Sequence, residues 1–226
     1  MKLATQTFSK IAVLAISALL FGAGAATAAV VDYVGYGWET GGLSASAPGD
    51  ELSVATVVTQ IDPLFGVDLG AVEATLFIEG LSSQGAVVNN MNGTTTISYT
   101  GGTIAIYAGA DRNHDWGVNP ANGTVPSTFT DGDLVFSGAF TSFTLILQGS
   151  GLGVFEGYID GTGGSALAGP CTGCAYTFAG SFTLPTGAQI PSGYDMQIDG
   201  VLEVESAVGT ETVNFGTLKQ FFNQGR

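Results

Sequence analysis

The sequence predicts an all-β fold, an antiparallel β-sandwich or jelly roll of about nine strands, behind a cleaved leader. Three observations carry that expectation. Beyond residue 28, helix signals are nearly absent. Short runs alternate apolar and polar residues, the spacing of a strand with one buried face. Glycine-containing dipeptides separate these runs at intervals suited to turns.

The leader comes first in the chain. Lys2 and Lys10 form a basic start, residues 11–21 an apolar stretch, and Ala26-Thr27-Ala28 a small-residue cleavage site. A membrane span needs about 20 apolar residues, whereas this run is interrupted by Ser17 and passes into Gly22 and Gly24. Residues 1–28 are therefore expected to be a signal peptide, with no integral membrane span once it is removed. Residues 29–226 are expected to form a single domain, with 206–226 as a loosely packed tail.

The strands are expected at 52–60, 72–79, 94–99, 103–108, 134–140, 142–148, 154–160, 176–184 and 196–205. In the second, Val72, Ala74, Leu76 and Ile78 share one face and Glu73, Thr75 and Glu79 the other, with Phe77 breaking the pattern. In the last, Met196, Ile198, Leu202 and Val204 face inward, with Gln197, Asp199, Glu203 and Glu205 on a wetted side. Asn92-Gly93, Gly101-Gly102, Asn122-Gly123, Asp131-Gly132 and Asp160-Gly161 supply turn residues. Residues 110–130 and 161–173 are long irregular stretches, where a site is sought first.

Charge narrows the function classes. With residues 1–28 removed, 3 basic residues remain against 19 acidic ones, a net charge of −16. Such a surface repels nucleic acid and anionic lipid and attracts cations. Only 11% of residues are charged and 45% are hydrophobic, so the chain has the composition of a folded domain.

The motif richest in chemistry is Asp111-x-Asn113-x-Asp115-x-Gly117, to which Asp131 and Asp133 add two more carboxylates. Alternate oxygen side chains around a turn suit a hard cation, and calcium takes six to eight oxygens. An EF-hand loop would place glycine where Trp116 stands and glutamate where Asn122 stands. A solvated turn capping its own amides is the competing reading. No cofactor is required by the sequence; calcium is the one it suggests.

Cys171 and Cys174 are the only cysteines. In an exported chain they are expected to form a disulfide around a four-residue loop after Pro170, contributing at most about 2 kcal/mol. Trp38 and Trp116, with Tyr33, Tyr36 and Tyr107, could build a sugar-stacking face or serve as packing. His114 is the only histidine and G-x-S-x-G is absent, so a serine hydrolase lacks its usual elbow.

The stretches from Gly102 to Tyr107 and from Phe129 to Gly138 resemble bacterial exoproteins of the exosortase (PEP-CTERM) type. That resemblance implies an exported, low-cysteine β domain without known catalytic residues. It departs at Thr217 to Arg226, which lacks the Pro-Glu-Pro, apolar span and basic end of the family's sorting signal. The expectation is an extracellular, cell-surface or periplasmic structural or matrix protein, not an enzyme. Its expected partners are other copies of itself or extracellular polysaccharide. A calcium- or carbohydrate-binding module is the alternative, and a hydrolase the third reading.

Overall fold

A computed structural model describes residues 29–117, 127–167, 174–185 and 190–205. The signal-peptide and tail expectations, Cys171 and Asn122-Gly123 lie outside these residues. Eight strands follow in order: β1 (Ala29–Glu39), β2 (Pro48–Ile61), β3 (Glu73–Asn89), β4 (Thr94–Gly109), β5 (Asp133–Leu147), β6 (Leu152–Gly163), β7 (Ala175–Thr183) and β8 (Met196–Glu205). Each pairs antiparallel with the next, and β8 returns to β1 from Ala29↔Val204 to Gly37↔Met196. The sheet is a closed up-and-down barrel.

This corrects the sandwich or jelly roll of about nine strands. Alternation with a period of two is common to sandwiches and barrels, because both bury one face of each strand. What distinguishes them is the pairing of distant strands. Two pairs of expected strands, 94–99 with 103–108 and 134–140 with 142–148, are each one long strand, β4 and β5. Gly101 and Gly102, expected as a turn, sit inside β4 at φ 70° and 85°. There they bend the strand, as bulges and glycines do where a sheet curves into a barrel. The strand that pattern reading missed is β1, whose Val31, Tyr33, Gly35 and Gly37 face inward.

The inward parity expected for β3 and β8 is observed at Ala74, Leu76 and Ile78, as at Met196, Ile198, Leu202 and Val204, all buried, whereas Val72, expected with them, precedes β3 and is partly buried. Gln197, Asp199 and Glu203 face outward and are exposed. Among the described residues no helix is long and apolar enough to cross a membrane. The strands themselves place mostly apolar side chains inside and many of their Thr, Ser, Glu and Asp outside, together with exposed Val87, Val88, Ile146 and Val154.

Aromatic rings fill the bore. Tyr33 stacks on Phe178 at 4.8 Å, and Phe178 also meets Phe155 at 5.1 Å and Phe140 at 6.0 Å. Glycines make room for them: β-carbons at the paired Gly180 and Gly200 would lie 2.6 Å from Phe155 Cζ and from Tyr33 Oη respectively. Turns stopper both ends. Leu43, in the turn Leu43–Ala45 between β1 and β2, and Phe65, in the turn Pro63–Phe65 between β2 and β3, both pack into the core.

An eight-strand barrel is just wide enough for side chains to fill, so removing one central ring leaves a void the walls cannot close. Phe178→Ala is expected to lower unfolding free energy by about 3–5 kcal/mol, read as a lower urea midpoint at unchanged m-value.

Candidate functional site

Three polar or aromatic constellations stand out on this frame: one buried at a barrel end and two on the outer wall. The first arises because Glu39 continues the inward series of β1 and is only 5% exposed. Its Oε2 accepts a hydrogen bond from the Tyr99 hydroxyl at 2.5 Å, while Oε1 has no partner among the described residues. Ser46, from the β1–β2 connection, and Ser83, from β3, share a hydroxyl hydrogen bond of 2.7 Å beside it.

Burial pushes the Glu39 carboxyl above its ordinary value of 4.5; Ser46 and Tyr99 pull it back, and Asp50 and Asp195 add to the rise. The Tyr99 hydroxyl is raised well above its own usual value, first by burial and then by Glu39. Folding thus shifts the carboxyl toward its neutral form. Below the unfolded-state value both states carry the proton and folding suffers no penalty. As pH climbs from there through the raised folded value, the unfolded state sheds its proton first, so stability is lost. Glu39→Gln, which stays neutral, is expected to abolish that part of the decline: the difference in urea midpoint between variant and parent should grow as pH rises from about 4, the ordinary carboxylate range, through the raised folded value.

The second constellation is built by the β4–β5 connection, which folds back over the outer wall. Phe77, the residue that broke the alternation of β3, faces outward yet is 7% exposed because Phe129, Trp38 and Trp116 cover it. The loop is tied down by Glu73. Its Oε1 meets His114 Nδ1 at 2.5 Å, and its Oε2 accepts from the backbone N–H groups of His114 and Asn113 at 3.0 and 3.2 Å. Trp116 Nε1 donates to Ala55 O at 3.3 Å, the Tyr194 hydroxyl to Trp116 O at 3.0 Å, and the Thr75 hydroxyl to Phe129 O at 2.9 Å.

The predicted metal ligands are distributed within and beside this loop. Asn113 Nδ2 donates to Asp131 Oδ2 at 2.8 Å, and Asp115 Oδ1 accepts from its own Gly117 N–H at 2.7 Å. Asp111 is exposed, and Asp133 opens β5 opposite Ala108. Among the described residues no group of three or more His, Cys, Asp or Glu is placed to hold a metal ion. Trp38 and Trp116, both partly exposed, are brought into one aromatic cluster: Trp38 packs on Tyr194 at 5.5 Å and Trp116 on Tyr36 at 5.2 Å. Cys174 is partly buried against the core next to β7.

The third constellation is a trough of about 570 Å³ on the outer wall of β3 to β6. Ala105 and Ser137 are paired neighbours at its floor, with Glu79 and Thr103 toward one end, Tyr107 toward the other, and Thr162 beyond Ser137. Sequence reading missed Glu39, Glu73 and this trough. The signal for Glu39 was present, since the odd positions of β1 are inward and 39 belongs to that series. The trough had none, because it joins four strands.

No family model, curated protein or solved structure matches the chain.

Because Glu73 holds three groups of the loop, its loss should loosen the segment carrying Arg112, whose guanidinium reaches Leu69 O and Gly70 O. Glu73→Ala is expected to speed tryptic cleavage after Arg112 by about tenfold, corresponding to ~1.4 kcal/mol of local stability. Cleavage at an unchanged rate would show the loop to be held by its aromatics alone.

Proposed function

We propose that this chain is an exported, non-enzymatic structural protein of the cell surface or extracellular matrix, in which the barrel is a rigid scaffold for contacts made on its outer wall. The observation that carries the reading is the filled and stoppered bore. Its space is occupied by Phe140, Phe143, Phe155, Phe178 and their neighbours, so the barrel offers its outer wall and loops to other molecules rather than a central chamber. The leader pattern of residues 1–28, the acidic composition and the exoprotein resemblance support export. A Cys171–Cys174 bridge belongs to the same reading, supported by the absence of free thiols among the described residues.

His114 and Glu73 fit the scaffold reading better than a hydrolase. Glu73 spends both its oxygens on the loop, clamping backbone as well as imidazole. Contacts between copies have physical support on the opposite end of the wall. There Val87, Thr96, Ile146 and Val154 form a charge-free row in register across β3 to β6, with Val87 68% and Val154 49% exposed. On so acidic a chain, an uncharged row is where two copies can approach without like-charge repulsion.

Cell fractionation with N-terminal sequencing tests the export reading: the chain is expected outside the cytoplasm, beginning near residue 29. Recovery of the uncleaved chain in the cytoplasm would sink it. For the assembly element, sedimentation of the purified chain is expected to show self-association that Ile146→Asp with Val154→Asp reduces by at least about tenfold, since a buried unpaired charge is costly. A parent chain that stays monomeric at high concentration would remove that element.

A further inference from the structure

We infer that the outer-wall trough across β3 to β6 is a binding site for a neutral saccharide. The inference rests on the reading that contacts are made on the outer wall, and it does not depend on export. Its volume, about 570 Å³, falls within the roughly 300–1,000 Å³ typical of small-molecule sites. Its shape follows from side-chain size. In register across the sheet, the large Phe77 is followed by the small Ala105 and Ser137, so the wall dips over β4 and β5 where the side chains are short.

The lining chemistry selects the ligand class. Thr103, Ser137 and Thr162 present hydroxyls, each able to donate and accept, which is what a hydroxyl-rich ligand demands at every position. The Ser137 and Thr162 hydroxyls already join at 3.1 Å, so a ligand hydroxyl beside them would extend an existing hydrogen-bonded chain. Glu79, exposed at one end, offers acceptor oxygens suited to sugar hydroxyls. Tyr107 supplies a half-buried ring for the apolar C–H face of a pyranose. Among the described residues no Lys, Arg or His contributes to the lining, and the chain carries 19 acidic residues against 5 basic ones, which disfavours phosphate, sulfate and uronate ligands. A purely apolar ligand would leave the hydroxyls and the carboxylate desolvated without partners.

Isothermal titration of the purified mature chain with cello-, xylo-, manno- and β-1,3-gluco-hexaose, and with polygalacturonate, tests the assignment. Binding is expected for at least one neutral oligosaccharide and not for polygalacturonate. Tyr107→Ala and Glu79→Gln should each weaken it by about tenfold or more, while Glu156→Gln, on the outer face of β6 away from the trough, should leave it unchanged. Should Tyr107→Ala fail to fold, Thr162→Val serves in its place. Absence of heat with all four neutral oligosaccharides, preference for polygalacturonate, or binding that survives the trough substitutions would each overturn the proposal. Fractionation results leave this test untouched, so failure of the saccharide site and failure of the export reading are distinguishable.

Discussion

The pairing of β1 with β8 governs the rest of the structure. Along it, from Ala29↔Val204 to Gly37↔Met196, the first and last strands of the described chain become neighbours and the sheet loses both its edges. Closure sets the diameter, and the diameter sets the packing. With eight strands the bore accommodates one set of side chains, which here is a column of aromatic rings seated over glycines. Large and small residues on facing strands are therefore mutual requirements: Phe155 and Tyr33 occupy the space that β-carbons at Gly180 and Gly200 would take.

A filled bore transfers every opportunity for recognition to the outside. The β4–β5 connection uses part of that surface for itself, laying Trp116 and Phe129 over Phe77 and anchoring the crossing through Glu73. The uncovered remainder of β3 to β6 holds both the hydroxyl-lined trough and the charge-free row ending in Val154. Among the described residues Glu39 is the one buried carboxyl, in an interior that also holds the hydroxyls of Thr56 and Ser83. Its carboxyl lies where Ser46 folds over the barrel end, and one oxygen has no partner among the described residues, a local cost that the aromatic packing must offset.

How much was legible follows from where each signal resides. The alternation of Ala74, Leu76 and Ile78 with Glu73 and Thr75 is a property of one strand, and it was read correctly, as were the inward residues of β8. Phe77 was recognisable as an anomaly but not as a covered one, because its cover comes from Trp38, Trp116 and Phe129, distant in sequence. The Asp111 to Asp115 run could be located but not resolved: only the fold shows Asn113 turned to Asp131 and Asp115 capping Gly117. Gly101-Gly102 misled, since positive φ serves a bend inside a strand as well as a turn between strands.

By itself the sequence determined the all-β character, the inward and outward faces of individual strands, the acidity and the low cysteine count. Each depends on residue type and on spacings of one or two positions, which survive any arrangement of the strands. Only the tertiary structure decided that the sheet closes on itself, that the bore is full, that Glu39 is buried beside Tyr99, and that Glu79, Tyr107, Ser137 and Thr162 line one trough. These depend on which strands become neighbours and in what register. A period-two pattern is indifferent to that choice, because it buries the same face whether the sheet meets a second sheet or curls to meet itself.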